Sequence, residues 1–262
     1  MIQEDLLVLE NKQISSIFFK LTIQSNAISN NAKPGQFVNI RVSNELSPLL
    51  RRPISIHKIN KKEKSFELLY ELKGEGTKIL STKKPGDKIN ILGPLGNHFT
   101  VHKSSKVPIL VGGGVGIAPL YALAEEMMKQ FKTIYVLIGA SSIEKIVCDE
   151  EFKKLGAKVI VSTDDGSFGA HGLVSLSLED LIGNLEEFNL KAGPIFACGS
   201  HPMLKAISEI AEENNIDCQL SMEAYMACAI GACKGCAVDT TNGYKMVCKD
   251  GPVFNSKEIV WH

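Results

Sequence analysis

The sequence has little that would tie it to nucleic acids or to a membrane. Its 29 Lys and Arg residues balance 29 Asp and Glu residues, so the formal net charge is zero. Because a nucleic-acid-binding domain usually carries a basic excess, this balance argues against that class. The longest apolar runs, near residues 107–111 and 134–140, fall far short of the about 20 residues that a membrane-spanning helix needs. We therefore expect neither a nucleic-acid partner nor a membrane span.

The sequence also lacks the marks of an exported or repetitive protein. The first residues contain no basic stretch followed by an apolar core, so no export signal is expected. A cytoplasmic, reducing compartment follows from this, and it suits cysteines that act as ligands. No internal repeat or low-complexity tract is visible. A chain of 262 residues with 44% hydrophobic and 22% charged residues is typical of a globular protein with two domains and a small module.

Cysteine, in contrast, is concentrated near the end of the chain. Four of the seven cysteines fall within 21 residues, with the spacing C-x4-C-x2-C followed by eleven residues and a fourth cysteine. They are Cys228, Cys233, Cys236 and Cys248. This is the plant-type ferredoxin spacing for the four thiolates of a [2Fe–2S] cluster. Small residues between the ligands leave room for the backbone to wrap the cluster and to point N–H groups at the sulfurs.

Two other interpretations of the cysteines stay open. A structural zinc site usually has two C-x2-C pairs, whereas this segment has a single pair, formed by Cys233 and Cys236. A disulfide framework suits short secreted chains, and this chain is long. Cys148 and Cys218 are expected to be structural or surface thiols, and the histidines show no metal-ligand spacing.

The first hundred residues are predicted to form a small antiparallel β-barrel. Short stretches with strand character recur near residues 18–23, 36–42, 54–59, 66–72 and 88–92, separated by turn-rich segments such as 26–35. Arg51-Arg52-Pro-Ile-Ser55 places a guanidinium near a hydroxyl, a pair able to hold a phosphate or the edge of a flavin ring. Gly74-Glu-Gly76-Thr77 opens a short helix whose amides favour an anion. Taken alone, the doubled arginine is more typical of a solvated surface pair, and the glycine motif is more typical of an ordinary turn.

From residue 106 the pattern changes to alternating strands and helices. The apolar strand 107–111 leads into Gly112-Gly-Gly-Val-Gly-Ile-Ala-Pro119 and then into a helix at 120–131. A strand, a glycine loop and a helix N-terminus together hold a nucleotide pyrophosphate. Further strands are predicted at 134–138, 158–162 and 194–197, with helices at 144–155, within 172–188 and at 203–214.

Alternating elements over about 110 residues predict a doubly wound parallel sheet. Ligands bind such sheets outside the carboxyl ends of the strands. The loops at 112–116, 139–142, 163–167 and 198–202 all begin at strand ends, so we expect them to converge on one nucleotide. The predicted organisation is a β-barrel domain at 1–103, an α/β nucleotide domain at 104–216 and a small C-terminal module at 217–262, which is an α/β multidomain fold.

The chain has, in this order, a β-barrel with the motif Arg52-Pro-Ile-Ser55, a nucleotide sheet with a glycine loop, and a C-terminal cysteine cluster. This order of features resembles the ferredoxin–NADP reductase superfamily. Within it, the chain is similar to the electron-transfer subunits of NAD-dependent dihydroorotate dehydrogenases of class 1B. The resemblance covers the whole chain and is carried by Leu50-Arg-Arg-Pro-Ile-Ser-Ile56, by the glycine loop 112–119, by Cys198-Gly199 and by Ser221-Met-Glu-Ala-Tyr-Met-Ala-Cys228-Ala-Ile-Gly-Ala-Cys233. The last segment is the most specific. Plant reductases carry an aromatic residue where this sequence has Ile54, so this position offers no aromatic ring for stacking.

The resemblance implies a role for each matching position. FAD would be held by Arg52, Pro53, Ile54, Ser55, Leu69, Tyr70 and Glu71, and its diphosphate would contact Gly76 and Thr77. The nicotinamide nucleotide would face Gly113, Gly114, Gly116, Cys198 and Gly199. Cys228, Cys233, Cys236 and Cys248 would ligate the [2Fe–2S] cluster. No residue is expected to act as a general acid or base, and Cys198 is either a nucleotide contact or a small buried hydrophobe.

The resemblance also implies a partner. Electrons would pass between NAD(H), FAD and the [2Fe–2S] cluster of this chain and the FMN of a separate subunit that oxidises dihydroorotate to orotate in pyrimidine biosynthesis. A heterotetramer with two copies of each subunit is expected. Because electrons must leave through the cluster, the C-terminal tail, including Phe254, is the expected docking surface.

Two other functions remain as alternatives. A subunit of an NADPH:ferredoxin or sulfide-type oxidoreductase would use the same cofactors with another partner. A redox sensor or zinc-stabilised module without flavin would be colourless, whereas a flavin and iron–sulfur protein is brown-orange. NADH is favoured over NADPH, because a 2′-phosphate is usually met by Arg and the loop 139–145 has none, although Lys145 offers a substitute.

Overall fold

Six antiparallel strands near the N-terminus form a closed barrel in the order β1-β2-β5-β4-β3-β6. The structure is a computed structural model that describes residues 1–102, 106–187 and 190–262. The strands are β1 (Ile2–Gln13), β2 (Phe18–Gln24), β3 (Phe37–Arg41), β4 (Arg52–Asn60), β5 (Ser65–Glu71) and β6 (Lys88–Leu95). Two short helices, α1 (Asn26–Asn31) and α2 (Glu75–Ser81), lie between them. The barrel predicted from the sequence is therefore confirmed.

Two elements of the barrel were not expected from the sequence. In β1, Leu6 and Val8 are buried while Asp5 and Leu9 beside them face solvent. The turn-rich segment after β2 contains α1, which begins because the Ser25 side chain accepts a hydrogen bond from the Ile28 N–H at 3.1 Å. Such a side-chain cap satisfies an N–H group that the first turn of a helix leaves free.

The second half of the chain forms a seven-stranded sheet in the order β10-β9-β8-β7-β11-β12-β15. Its elements are β7 (Val107–Gly113), α3 (Ala118–Met127), β8 (Tyr135–Ala140), α4 (Asp149–Leu155), β9 (Lys158–Thr163), β10 (Ala170–His171), α5 (Val174–Glu187), β11 (Ala192–Cys198), α6 (His201–Glu213) and β12 (Cys218–Ser221). All neighbouring strands are parallel except the last pair, in which β15 (Val253–Asn255) runs antiparallel to β12.

The strands of this sheet bury both faces, as their continuous apolar sequences predict. In β7, Ile109 and Val111 pack in one core with α5 and α6, whereas Leu110 packs in another core with α3 and α4. Successive strand residues point to opposite faces, so one apolar run serves two layers of helices. The doubly wound arrangement is confirmed.

Helix α4 begins later than the sequence predicts. Residues Ile143–Lys145 form a separate 3₁₀ turn, and Cys148 has a left-handed backbone with φ of 70° immediately before α4. A left-handed residue interrupts helical geometry, which explains why one predicted helix is divided in two. The helix predicted within 172–188 corresponds to α5, and Phe188 lies outside the described residues.

The C-terminal residues pack against both larger parts. A small hairpin, β13 (Ala237–Val238) with β14 (Lys245–Met246), separates Cys236 from Cys248, and β15 then extends the parallel sheet. The Asn97 side chain fixes this segment to the barrel, because it donates to the Val253 carbonyl at 2.6 Å and accepts from the Val253 N–H at 2.8 Å. The three-domain division remains a prediction, and its first boundary falls at residues outside those described.

The expectation that Phe254 belongs to a docking surface is wrong. Its side chain is only 3% exposed and packs in the core beneath α6, so it belongs to the interior rather than to a docking surface. In β15, a strand at the edge of the sheet, Phe254 pairs with Leu220 of β12 and faces inwards. Within the described ranges, no helix has the length and apolar character needed to cross a membrane.

Candidate functional site

The four cysteines lie in a loop whose backbone amides point at their sulfurs. The Sγ of Cys228 accepts hydrogen bonds from the N–H groups of Ile230 and Cys233 at 3.5 and 3.4 Å. The Sγ of Cys248 accepts from the Gly231 N–H at 3.1 Å. Similar bonds run from Gly235 to Cys233 and from Cys248 to Cys236, both at 3.5 Å. Amides placed in this way stabilise negative charge on sulfur, which is what a thiolate cluster needs.

An unusual backbone makes this arrangement possible. Ala229, Gly231 and Lys234 all have positive φ, at 59°, 83° and 58°. Residues in the left-handed region reverse the direction of successive N–H groups, so consecutive amides can converge on one concave site. Two of these three residues are not glycine, which is uncommon and indicates that the loop is shaped for its ligand.

The thiols differ in their electrostatic surroundings. Backbone hydrogen bonds from Cys233 and Ile230 lower the pKa of the Cys228 thiol to about 6. Burial, followed by a hydrogen bond with Cys236, raises the pKa of Cys248 to about 12. Iron bound here would offset that burial cost, because a coordinated thiol loses its proton.

The spread of the sulfurs distinguishes between the metals considered above. A tetrahedral zinc ion with Zn–S bonds of about 2.3 Å would hold its four sulfurs roughly 3.8 Å apart. Across the described part of the chain, no three of these cysteine sulfurs lie within 4.8 Å of one another. A two-iron centre shares its four thiolates between two metal atoms, which requires such a wider set. Together with the ferredoxin-type spacing and the amides directed at the sulfurs, this arrangement fits a [2Fe–2S] cluster.

A cleft of about 970 Å³ opens between the barrel, the glycine loop and the C-terminal segment. Eight of the nine residues predicted to hold FAD line it: Arg52, Pro53, Ile54, Ser55, Leu69, Tyr70, Glu71 and Thr77. They come from β4, β5 and the first turn of α2, which the barrel brings side by side. The Tyr70 hydroxyl donates to Asn11 Oδ1 at 3.1 Å, so the phenol is fixed while its ring stays at the cleft. Burial raises the pKa of Tyr70 above its ordinary value, so the hydroxyl remains protonated.

Gly76, the ninth residue, lies directly beneath Arg52. A Cβ at Gly76 would overlap the guanidinium end of the Arg52 side chain, so any larger residue here would displace that guanidinium. Arg52 therefore rests on the start of α2, with its Nη1 donating to the Leu50 carbonyl. Thr77 completes the turn by accepting hydrogen bonds from the N–H groups of Lys73 and Gly74 at 2.9 and 3.2 Å.

The opposite wall of the same cleft was not predicted from the sequence. It consists mainly of residues between Ser221 and Met226, with Val115, Ala118 and Pro119 at the beginning of α3. Cys198 also lines this cleft, and burial raises the pKa of its thiol above the ordinary value. The sequence signal for this wall was present, because Ser221-Met-Glu-Ala-Tyr-Met226 belongs to the segment that most resembles the family, but no chemical motif marks those residues individually.

A second cleft, of about 850 Å³, lies at the carboxyl ends of the parallel strands. It is lined by Gly113 and Gly114 at the end of β7, by Gly139, Ala140 and Ser141 at the end of β8, by Asp164 after β9 and by Ser200 after β11. The four loops predicted to converge thus do so. Lys145, rather than its neighbour Glu144, lines this cleft. Anions that bind here would meet one cation from the loop after β8.

Gly116 and Gly199 lie where the two clefts adjoin. A Cβ at Gly116 would come within 2.6 Å of the Cys198 carbonyl oxygen and 2.9 Å of the Gly199 Cα. The glycine loop and the end of β11 are therefore in direct backbone contact. This contact fixes the position of Cys198 relative to both clefts.

Replacing Gly116 by Ala is expected to slow reduction of the bound flavin by NADH roughly 10- to 100-fold. The added methyl group must push the end of β11 away from the glycine loop. Even a small displacement of the nicotinamide from the flavin slows hydride transfer strongly. FAD content should stay unchanged, since the residues that line the flavin cleft from the barrel are untouched. Stopped-flow absorbance of the flavin measures the rate. Gly183→Ala in α5 is the matched control, as its Cβ would meet nothing within 4 Å. Equal rates in the two variants would contradict the assigned packing.

One continuous segment connects the flavin cleft with the cysteine loop. Met226 lines the cleft, and Cys228 follows two residues later. Two residues span at most about 7 Å even when fully extended. The first sulfur ligand is therefore close to the wall of the cleft, so a cofactor in the cleft and a cluster in the loop would be neighbours.

Comparison with known proteins supports these assignments. Residues 110–209 match the model of the oxidoreductase NAD-binding domain, and residues 223–260 match that of the iron–sulfur cluster binding domain of dihydroorotate dehydrogenase B. The electron transfer subunit of dihydroorotate dehydrogenase B (NAD(+)) from Fusobacterium nucleatum is 39% identical over 261 residues, covering 98% of each chain. Its counterpart from Bacillus pumilus is 36% identical and covers 97% of this chain and 96% of its own.

A solved structure shows the same fold over nearly the full length. It was described as an NADH-dependent reduced ferredoxin-NADP oxidoreductase studied for flavin-based electron bifurcation. The match has a TM-score of 0.84 and 31% identity, and it covers 98% of this chain and 90% of that one.

The barrel, the parallel sheet and the cysteine loop together define an NAD-linked oxidoreductase subunit of the ferredoxin–NADP reductase type, with FAD and a [2Fe–2S] cluster as cofactors. The sequence identity of 36% and 39% over almost the whole length of the two relatives defines the family more narrowly. The chain belongs to the family of dihydroorotate dehydrogenase B (NAD(+)) electron transfer subunits. The resemblance seen in the sequence is confirmed, as are the expected fold and cofactors.

Proposed function

We propose that this chain carries electrons between NAD(H) and a separate, FMN-containing catalytic subunit that oxidises dihydroorotate to orotate in pyrimidine biosynthesis. The observation that supports this most strongly is the segment 221–228, which forms one wall of the flavin cleft and ends in the first cysteine ligand. Adjacent residues therefore form a path for electrons from the nucleotide, through the flavin cleft, to the cysteine loop. The family membership supplies the reaction in which such a path is used.

Each part of the path has its own task. FAD in the first cleft would exchange a hydride with NAD(H) and single electrons with the [2Fe–2S] cluster. Arg52 and the first turn of α2 hold the diphosphate, since a guanidinium and free amides both favour phosphate oxygens. Apolar side chains such as Ile54 and Met222 exclude water from the ring.

The nicotinamide nucleotide is assigned to the second cleft. Gly113 and Gly114 permit close approach of the pyrophosphate, and Cys198 lies between the two clefts where the nicotinamide would meet the flavin. With its pKa raised by burial, Cys198 stays a neutral thiol. Its role is contact and spacing, and no proton needs to move through it.

The surface next to the cysteine loop is assigned to partner docking. Cys233 is exposed, and large apolar side chains surround the loop in sequence: Tyr225 is 99% exposed, Tyr244 75% and Ile230 48%. Exposed aromatic residues are enriched where proteins bind one another. This surface replaces the buried Phe254 as the proposed contact with the catalytic subunit, in a heterotetramer with two copies of each chain and a cytoplasmic location.

Replacing Tyr225 by Asp is expected to weaken association with the catalytic subunit by about tenfold or more, because a charge would be buried in an apolar contact. The side chain is almost fully exposed in the isolated chain, so folding and flavin reduction by NADH should not change. Association is measured by surface plasmon resonance or by copurification. Leu176→Asp on α5, 53% exposed and distant in sequence from the loop, serves as the matched control. If the control weakens binding as strongly, the docking surface is elsewhere.

Purification of the native complex tests the reaction itself. The expected result is a flavin-bearing partner and reduction of NAD+ that depends on dihydroorotate. The solved relative described as a ferredoxin-NADP oxidoreductase supports a second candidate function. In that case the chain would be a subunit that exchanges electrons with ferredoxin. A brown, NADH-oxidising complex that ignores dihydroorotate and reduces ferredoxin would favour that candidate.

A further inference from the structure

Three potential metal ligands meet at the junction of the barrel and the nucleotide domain, apart from the two clefts and the cysteine loop. They are His57 from β4, Cys148 before α4 and Glu151 in the first turn of α4. One ligand atom from each lies within 4.8 Å of the other two. Neither the flavin path nor the nucleotide cleft uses any of them.

His57 is oriented as a metal ligand requires. The register between β4 and β5 shifts between Ile56 and Lys58, so His57 occupies a β-bulge that turns its ring out of the barrel pattern. The ring is fully buried, and its Nδ1 donates to the Ala118 carbonyl at 2.9 Å. Its Nε2 has no hydrogen-bond partner. A metal-binding histidine typically donates its other N–H to a carbonyl in this way, which leaves the free nitrogen lone pair for the ion.

The other two ligands follow from the unusual start of α4. The left-handed backbone at Cys148 places its thiol, which is 6% exposed, at the beginning of the helix. Glu151 follows in the first turn of α4, and one of its carboxylate oxygens lies within 4.8 Å of the Cys148 sulfur. Its carboxylate comes within 3.6 Å of His57 Nε2 and forms an ion pair with Lys20 from β2.

We propose that His57, Cys148 and Glu151 form a binding site for a divalent zinc ion, with a fourth position open to water. Nitrogen, sulfur and carboxylate oxygen are the donors that zinc takes in proteins. On binding, the Cys148 S–H bond is replaced by a Zn–S bond and the proton is released to solvent. Two ligand charges then balance the two charges of the ion, so the buried site is neutral. The ion would join β4 of the barrel to α4 of the nucleotide domain.

Lys20 competes with the metal in this arrangement. Its ammonium contacts both oxygens of Glu151, and a second cation at the same carboxylate is repelled. Zinc binding therefore requires the Lys20 side chain to move towards solvent. Because Lys20 competes with zinc for Glu151, loss of the Lys20 charge should strengthen zinc binding. An ion pair with a purely structural role would not produce that result.

Zinc binding is tested on the holoprotein with its flavin and iron–sulfur cluster in place, so that the four cysteines at 228–248 are occupied. Protein equilibrated with zinc and freed of excess is analysed for metal content and by X-ray absorption at the zinc edge. We expect one zinc per chain, with one sulfur at about 2.3 Å and the remaining ligands nitrogen or oxygen. Lys20→Gln should bind about tenfold more tightly, and Glu151→Gln and Cys148→Ser should lose the zinc.

Cys218→Ser is the matched control, because Cys218 is another buried free thiol that is not among the three ligands. It should keep the zinc. The proposal is overturned if neither the wild type nor Lys20→Gln retains zinc, if Cys148→Ser binds as much as the control, or if the absorption spectrum shows four sulfur ligands. Circular dichroism confirms that the variants are folded, and Lys20→Gln, at a partly exposed position, tests the proposal without disturbing a buried residue.

Discussion

Replacing Cys233 by Ser is expected to remove the [2Fe–2S] signal and to stop electron transfer to the catalytic subunit. A serine oxygen is a poor substitute for a thiolate ligand of iron, and even the loss of outer partners of a metal ligand typically costs 10- to 100-fold. Dihydroorotate-dependent NAD+ reduction by the complex should therefore fall roughly 100-fold or more. Flavin reduction by NADH should persist, because the flavin cleft and the nucleotide cleft do not include Cys233.

Electron paramagnetic resonance of the reduced protein and steady-state assays of the complex measure the two effects. Cys218→Ser is the control here as well, since it removes a thiol without touching the cysteine loop. Transfer that survives in Cys233→Ser at the rate of the control would show that the assigned ligand set is wrong.

Replacing Arg52 by Ala is expected to strip FAD from the protein. Hydrogen bonds to a charged group contribute about 1.5–3 kcal/mol each, so losing even two such bonds from Arg52 to the diphosphate would cost at least about 3 kcal/mol. That corresponds to roughly a 100-fold weaker affinity for FAD. The variant should emerge from gel filtration with little flavin while its iron content stays unchanged, as absorbance and metal analysis would show.

Arg51 provides an internal comparison, because it lies immediately before β4 and does not line the flavin cleft. Its guanidinium donates to the carbonyl oxygens of Asn39 and Asn90 at 3.3 and 3.2 Å, within the barrel wall. Arg51→Ala should therefore reduce thermal stability slightly and keep FAD. If Arg51→Ala lost FAD and Arg52→Ala retained it, the cleft would have been assigned to the wrong side of the strand.

The sequence predicted those parts of the fold where a local residue pattern is typical of one kind of structure. The run 107–111 is apolar at every position, short and followed by glycines, which is typical of a strand covered on both faces. The glycines after it mark the end of β7, and the strand-end loops then converge because neighbouring strands are parallel. The cysteine spacing was informative for the same reason, since few ligands require it.

The sequence was less informative where long-range contacts decide the structure. The wall of the flavin cleft contains Met222, Ala224 and Met226, whose side chains have no distinctive chemistry and are there because the C-terminal segment folds back over the barrel. The left-handed backbone at Cys148 could not be foreseen, because cysteine has no preference for that conformation. Nor could Phe254, an apolar residue near the terminus, be recognised as a core residue before β15 was placed in the sheet.

The connection from the partner to the cysteine loop is tested most directly by anaerobic addition of dihydroorotate to the purified complex in the absence of NAD+. Electron paramagnetic resonance then reports whether the [2Fe–2S] cluster of this chain takes up electrons. We expect the cluster signal to appear in the complex and to be absent when dihydroorotate is added to the isolated chain. A cluster that NADH reduces but dihydroorotate leaves oxidised in the intact complex would contradict the proposed route.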